Sequence, residues 1–317
     1  MLTYLAQRVA AAVPTMFGVS VVTFALLHIV PGGPVVAMLG LAASNPAAVA
    51  AITRDLGLDK PIWEQYLIWL KRALSGDFGM STEFHVPVLS LVGPKLAHTL
   101  LLTAGSLVYA VVLGTIIGIV AAVHYRSVFD RAAMFVTLVG ASAPVFWIGL
   151  LLSYLFAIRL GWLPAMGMTS IIGGSSPLIV LEHLILPAFA NSIISMAVIA
   201  RIVRSSMLEA LVQPYVLAAR ARGLSRTRQV LVHAFRNVLP DAINITGLQV
   251  GFLFGGALIV EVVFAWPGVG YLIYSSIQAR DYVTLQASVL IVSAVFVIVN
   301  LLADMARIAL DPREQAA

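Results

Sequence analysis

The sequence predicts an all-α, polytopic membrane protein with six transmembrane helices. Three observations predict it. The chain of 317 residues is 61% hydrophobic and only 10% charged, against about 25% charge in an ordinary soluble domain. Its mean hydropathy is +1.00. Its apolar residues gather into runs long enough to cross a hydrocarbon layer of about 30 Å, and the segments between them hold most of the arginines. Helices are the expected solution because a backbone facing lipid must satisfy its own hydrogen bonds.

Residues 9–30 form a 22-residue apolar run. That exceeds the roughly 7–15-residue core of a signal peptide, so the run reads as an uncleaved first span, ended by Pro31-Gly32-Gly33-Pro34. Residues 31–98 then form a polar insert in which Arg54, Lys60, Lys71, Arg72 and Lys95 are offset by Asp55, Asp59, Glu64, Asp77 and Glu83. Within it, residues 61–74 carry Ile62, Tyr66, Trp69, Leu70 and Ala73 at helical spacing. Such a helix either lies in the headgroup zone, where Trp63 and Trp69 are at home, or caps the spans. The remaining spans are read at 99–123, 132–158, 183–208, 242–263 and 283–302. Residues 99–310 thus form the membrane core, and 311–317 a polar tail. Arg201 and Arg204, near one end of the fourth span, are expected to snorkel.

Six spans put both termini on one side. Arg8, the 124–131 loop, the 209–236 loop and the tail share that side and collect Arg126, Arg131, Arg220, Arg222, Arg226, Arg228, Arg236, Arg307 and Arg313. The other side is near charge balance. Positive residues mark the cytoplasmic face, so both termini are expected inside and the 31–98 insert outside. The chain is organised around residues 213–240, its most basic stretch, which holds five arginines and no acid. Pro214 suits a first helical turn, and Gly223 suits the left-handed position just past a helix end. Ser225 can cap a second helix through its hydroxyl. The expectation is helix, glycine turn, helix, with small Ala218, Ala219 and Ala221 beside Tyr215 and Arg222. Physics alone leaves open whether this loop touches a partner or simply obeys membrane topology.

Several chemistries are excluded. There is no cysteine, hence no disulfide, thiolate site or cysteine nucleophile. The only lysines are Lys60, Lys71 and Lys95, and none completes the GxxxxGK[ST] loop that cradles nucleotide phosphates. HExxH and GxSxG are absent, and Glu182-His183 lacks the helical spacing of a zinc pair. The net charge of +5 comes without the interleaved aromatics of a nucleic-acid surface, so no nucleic-acid partner is expected. An ion-coupled carrier, the rival class, needs ionisable groups in mid-membrane. Here His28 and Glu261 lie near span ends and Asp241 and Asp304 at the margins, whereas Asn191, Gln249 and Asn300 are neutral. A passage lined by neutral polar groups would draw on Asn191, Ser195, Asn244 and Gln249, residues that could equally hydrogen-bond neighbouring helices. Glu261 and Trp266 are candidates for an external gate or for an interfacial anchor. Gly247, Gly251 and Gly255, like Gly114 and Gly118, recur every fourth residue and permit close helix packing.

Ala218-Ala219, three residues, then Gly223 resembles the EAA loop of ABC-transporter permeases, with Leu217 where the general motif has Glu. Ala219-Arg220-Ala221-Arg222-Gly223 and Val232-His233-Ala234-Phe235-Arg236-Asn237 resemble the version in dipeptide and oligopeptide permeases. The resemblance extends from Tyr4-Leu5, Arg8, Pro14, Phe17-Gly18-Val19-Ser20 and Phe24 through Leu56-Gly57-Leu58-Asp59-Lys60-Pro61 and Ser75-Gly76-Asp77-Phe78-Gly79. It ends on Trp266-Pro267-Gly268-Val269-Gly270 and Asp281-Tyr282. A PGDP segment usual in the B-type subunit reads Pro31-Gly32-Gly33-Pro34 here. The resemblance implies a type I ABC importer permease fold with an extracytoplasmic helical insert after the first span. It implies that the 209–236 loop is a coupling loop, with Tyr215, Ala218, Ala219, Arg220, Arg222, Gly223, Leu224 and His233 facing or supporting a cytoplasmic ATPase. It further implies a second, C-type permease, two ABC ATPase subunits or domains that bind ATP and Mg, and an extracytoplasmic substrate-binding protein. No cofactor is implied in this chain. Within the wider family the cargo can be a peptide, glutathione, a nickel chelate or another small solute.

Overall fold

The computed structural model describes residues 2–29, 35, 46–169 and 176–310. The Pro31-Gly32-Gly33-Pro34 segment and the 311–317 tail, both singled out in the sequence, lie outside the described residues. Among the described residues the structure is helical, and its single β feature is an isolated antiparallel bridge between Met80 and Pro87. The helices are α1 (Leu2–Ile29), α2 (Pro46–Leu56), α3 (Ile62–Leu74), α4 (Val88–Val123), α5 (Val128–Ser142) and α6 (Val145–Leu152), which runs on as a π-helical turn, Ser153–Arg159. They continue with α7 (Pro177–Leu211), α8 (Pro214–Ala221), α9 (Arg226–Val263), α10 (Val269–Ala279) and α11 (Tyr282–Leu310).

Five of these helices are long and apolar enough to cross a membrane, and six spans result if α5 and α6 together count as one. The proviso concerns the third span, read in the sequence at residues 132–158, which is bent. The two halves meet at an angle of 111°. The break is at Ala143-Pro144: proline disfavours the helical conformation at the residue before it, and Ala143 is extended, with ψ 140°. Elsewhere the helices outrun the apolar runs. The second span begins at Val88 rather than 99, inside the polar insert, and the fifth begins at Arg226 rather than 242. Pro240 lies inside α9 without ending it.

By contacts the chain divides into two compact units. The first takes residues up to Thr99 together with Pro267–Ile298. Here α3 lays Tyr66 and Trp69 against Phe24 of α1, with ring centroids 5.4 and 5.7 Å away. Ser20 and the Tyr66 hydroxyl share a hydrogen bond of 2.7 Å, and His28 meets Gln65 at 3.0 Å. This face of α3 therefore packs on the first span, while Trp63 on its other side is exposed. At the start of α11, Asp281 is buried and accepts hydrogen bonds from the Ser81 hydroxyl and from the backbone N–H and hydroxyl of Thr284. One carboxylate thus caps α11 and ties the Met80–Pro87 loop to it.

The second unit takes Leu100–Trp266 and the end of α11 from Val299. Its centre is α7, packed between α4, α5 and α9. Gly114 and Gly118 of α4 lie so close to α7 that an added Cβ would meet the carbonyl oxygens of Met196 and Ala200 at 2.9 and 2.7 Å. Those glycines therefore serve packing within the chain. On α9, Gly251 lies against Asn300 and Gly256 against Asn191, whereas Gly255 faces open space.

Candidate functional site: the arginine-bearing loop

The loop is built with little slack. Only Val212 and Gln213 separate α7 from α8, and Gln213 takes the extended N-cap conformation ahead of Pro214. Proline fits the first turn because its missing N–H has no partner there in any helix. At the other end Arg222 closes α8 and Gly223 adopts φ +75°. The Gly223 N–H donates to the Arg220 carbonyl, and the Leu224 N–H to that of Ala219, at 3.0 and 3.3 Å. These two bonds define a Schellman ending, which demands a left-handed residue at this point. Space is no constraint, since nothing lies within 4 Å of a Cβ built on Gly223. Backbone conformation is what calls for glycine.

One expectation requires correction. Ser225 takes the extended N-cap conformation, but its hydroxyl makes no capping hydrogen bond; the turn is held through its carbonyl, which accepts from the Gln229 N–H at 3.0 Å. The second helix begins where expected, after Ser225, but it is continuous with the fifth span. Residues from Arg226 onward are the first turns of α9 itself, passing through a π-helical segment at Gln229–Ala234 that contains His233. His233 is half-buried, and its carbonyl accepts from the Asn237 side chain at 2.8 Å.

Helix phase divides α8 into two faces. Val216 and Ala219, three residues apart, are buried. Val216 belongs to one apolar cluster with Met207 and Ala210 of α7 and Val230 and Ala234 of α9. Tyr215, Leu217, Ala218, Arg220 and Arg222 face outward and are exposed. So Ala219, expected to contact a partner, is turned into the protein, and Leu217 and Ala218 take the outer position. Val216 was not singled out in the sequence, although it stands at i, i+3 to Ala219 and the two are the buried residues of α8. Arg226, Arg228 and Arg236 are exposed as well. The five arginines of residues 213–240 thus form an exposed cationic surface around an internally anchored helix.

The polar residues proposed for the passage behave differently. Asn191 is 4% exposed and donates to the Ser106 hydroxyl and to the Leu253 carbonyl, each at 3.0 Å. Ser195 donates to Gln249 at 2.9 Å, and both are buried. These side chains join α4, α7 and α9. Asn244 is half-buried, while Glu261 and Trp266 are fully buried. A groove of about 540 Å³ runs between α4, α9 and the end of α11, lined by Leu107, Val111, Phe235, Leu239, Thr246 and Arg307 among others. None of the four passage residues, nor Glu261 or Trp266, is in its lining. Arg204, expected to snorkel, instead forms a fork with Asp130, its Nε and Nη2 atoms donating at 2.6 and 2.8 Å.

Known proteins resemble this chain along nearly its full length. The family described as "Binding-protein-dependent transport system inner membrane component" matches residues 114–315, and its N-terminal companion domain matches residues 1–95. The dipeptide transport system permease protein DppB of Alkalihalophilus pseudofirmus is 38% identical, covering 99% of each chain. DppB of Escherichia coli K12 is 36% identical, covering 99% of this chain and 98% of the other. The glutathione transport system permease protein GsiC of Escherichia coli K12 is 38% identical over 98% of each. Among solved structures, a chain of the MetNI methionine ABC transporter in an inward-facing form superposes with a TM-score of 0.56 at 18% identity, covering 70% of this chain and 97% of that one.

Proposed function

The chain belongs to the binding-protein-dependent transport system inner membrane component family, and on that premise we propose that it is the membrane-spanning permease subunit of an ABC importer for short peptides. It is a multi-pass protein of the inner membrane, built on the ABC importer permease fold. The observation that carries the proposal is the α8 loop: an exposed, arginine-rich surface on a short helix whose inner face is fastened to both flanking spans.

The reading assigns the work as follows. Two partner ATPase subunits or domains bind ATP and Mg and supply the energy, because this chain has no phosphate-cradling loop. Tyr215, Leu217 and Ala218 enter a groove on the ATPase, where small side chains permit close approach. Arg220 and Arg222 meet acidic groups there, their planar forks suiting carboxylates. Gly223 and Leu224 set the turn, and His233 supports the start of α9. When the ATPases close, α8 moves, and α7 and α9 move with it because Val216 shares their core. That motion switches the pathway between outward and inward access. Asn191, Ser195 and Gln249 hold the pathway helices together, while Asn244 remains a lining group. A second permease completes the pathway, and an extracytoplasmic binding protein delivers the cargo to the face that carries the 31–98 insert. Both termini and the α8 loop are cytoplasmic, following the arginine distribution.

Peptide cargo is supported by the DppB relatives. The glutathione permease relative at 38% identity favours a second reading in which the cargo is glutathione, itself a short peptide. The test is to assemble the chain with its partner subunits in lipid nanodiscs or liposomes. Wild type should hydrolyse ATP faster with peptide-loaded binding protein and accumulate peptide. Gly223→Pro should abolish both with the complex intact, since proline cannot adopt φ +75° and removes a Schellman donor. If Gly223→Pro supports normal uptake and stimulation, α8 is not the coupler.

A further inference from the structure

On α7, ten residues before the start of α8 at Pro214, the Arg204 guanidinium grips the Asp130 carboxylate with two parallel hydrogen bonds. Asp130 is 2% exposed and stands in the first turn of α5. Its Oδ2 also accepts from the Arg126 N–H at 3.0 Å, and its own N–H donates to the Ser127 hydroxyl at 3.1 Å. Ser127-x-x-Asp130 is thus a helix-capping sequence whose acid is also spoken for by another helix. The Tyr125 ring lies 5.6 Å from the Arg204 guanidinium carbon. On the other side of α8, Arg226 at the start of α9 donates to the Val123 carbonyl at the end of α4, at 3.4 Å. The 123–130 turn between α4 and α5 is therefore held from both helices that flank α8.

We propose that Asp130 and Arg204 are positioning residues for transport: a strut that makes the α4–α5 turn follow the coupling helix, so that its stroke reaches α5 as well as α7 and α9. The proposal rests on the coupling role given to α8 above. The chemistry fits a strut. A bidentate arginine–carboxylate pair fixes distance and angle together, and its burial makes removal of one partner costly. A lone α7 would carry the stroke only along its own axis; the pair couples it to a helix whose far half turns through 111° at Pro144.

The test uses the full complex in liposomes with peptide-loaded binding protein, reading peptide accumulated per ATP hydrolysed. Absence of stimulated hydrolysis in wild type would refute the importer reading itself, separately from the strut. With wild type active, Asp130→Asn and Arg204→Met should each lower the peptide-to-ATP ratio at least fivefold per assembled complex, and Arg204→Lys should restore part of it. A purely structural pair would lower the amount of complex but leave that ratio unchanged, which overturns the proposal. A second measurement keeps the pair intact and so does not depend on the variants assembling. The chain has no native cysteine, so spin labels at Val128→Cys and Arg201→Cys, both exposed positions, report the separation of α5 from α7. The strut requires the same distance with and without ATP, whereas a change of several ångströms overturns it.

Discussion

The α8 loop and the Asn191–Gln249 seam both place polar residues in an apolar chain, and they use them in opposite ways. In the seam, Asn191, Ser195 and Gln249 are buried and bound to Ser106, to the Leu253 carbonyl and to each other. In the loop, Tyr215, Arg220 and Arg222 stand exposed, and on α8 only Val216 and Ala219 are turned inward. A buried amide whose bonds are satisfied at home holds helices in register. An exposed row of cations on an anchored helix is poised to meet a partner. Polarity alone does not separate these roles; burial does.

The largest effects that bear on this contrast come from one substitution placed one residue apart. Ala219→Trp forces a large ring into a buried position and should cost about 1–3 kcal/mol of stability, visible as a lower melting temperature and less protein in the membrane. Ala218→Trp should leave the melting temperature unchanged and abolish stimulated ATP hydrolysis by blocking the partner groove. Equal behaviour of the two variants would erase the distinction between the faces of α8. In the seam, Asn191→Leu removes a donor to two buried acceptors and should cost roughly 1–3 kcal/mol, read by thermal unfolding of the complex. Peptide taken up per ATP by the surviving protein should be unchanged. A changed cargo preference would instead make Asn191 a passage residue.

The smallest effect concerns the Asp281 cap. Burial raises its carboxyl, but hydrogen bonds from Ser81, Thr284 and the Thr82 backbone outweigh it and hold the group below the usual carboxylate range. A depressed value in the folded state means that the group's stabilising contribution is complete above the unfolded value of about 3.9. It is lost only as pH falls through the lower folded value. Proteolysis of the Met80–Pro87 loop should therefore proceed at the same rate at pH 7 and pH 5. Accelerated cleavage at pH 5 would contradict the cap.

Much of this was legible in the sequence for physical reasons that differ by residue. Pro214 and Gly223 act through backbone geometry fixed within a few residues, so they mark the ends of α8 without knowledge of the fold. The apolar runs report burial in lipid or protein, and five of the six became single helices. Hydropathy is blind to what Pro144 does to Ala143, so the break in the third run went unseen. The facing of Ala219 was hidden because α8 has eight residues and little contrast between its small side chains. The Asp130–Arg204 pair spans 74 positions, and only its local half, Ser127-x-x-Asp130, leaves a trace in the sequence. The two-sided polarity of Asn191 and Ser195 could be weighed only once their partners on α4 and α9 were in place.

The most direct measurement is a cross-link. With no native cysteine to confuse the result, a single cysteine at Ala218 should join a cysteine in the groove of the co-assembled ATPase, in high yield and dependent on nucleotide state, while the same cysteine at Ala219 should not. Ready linkage from position 219, or none from position 218 in a transport-competent complex, would contradict the assignment of α8 as the lever.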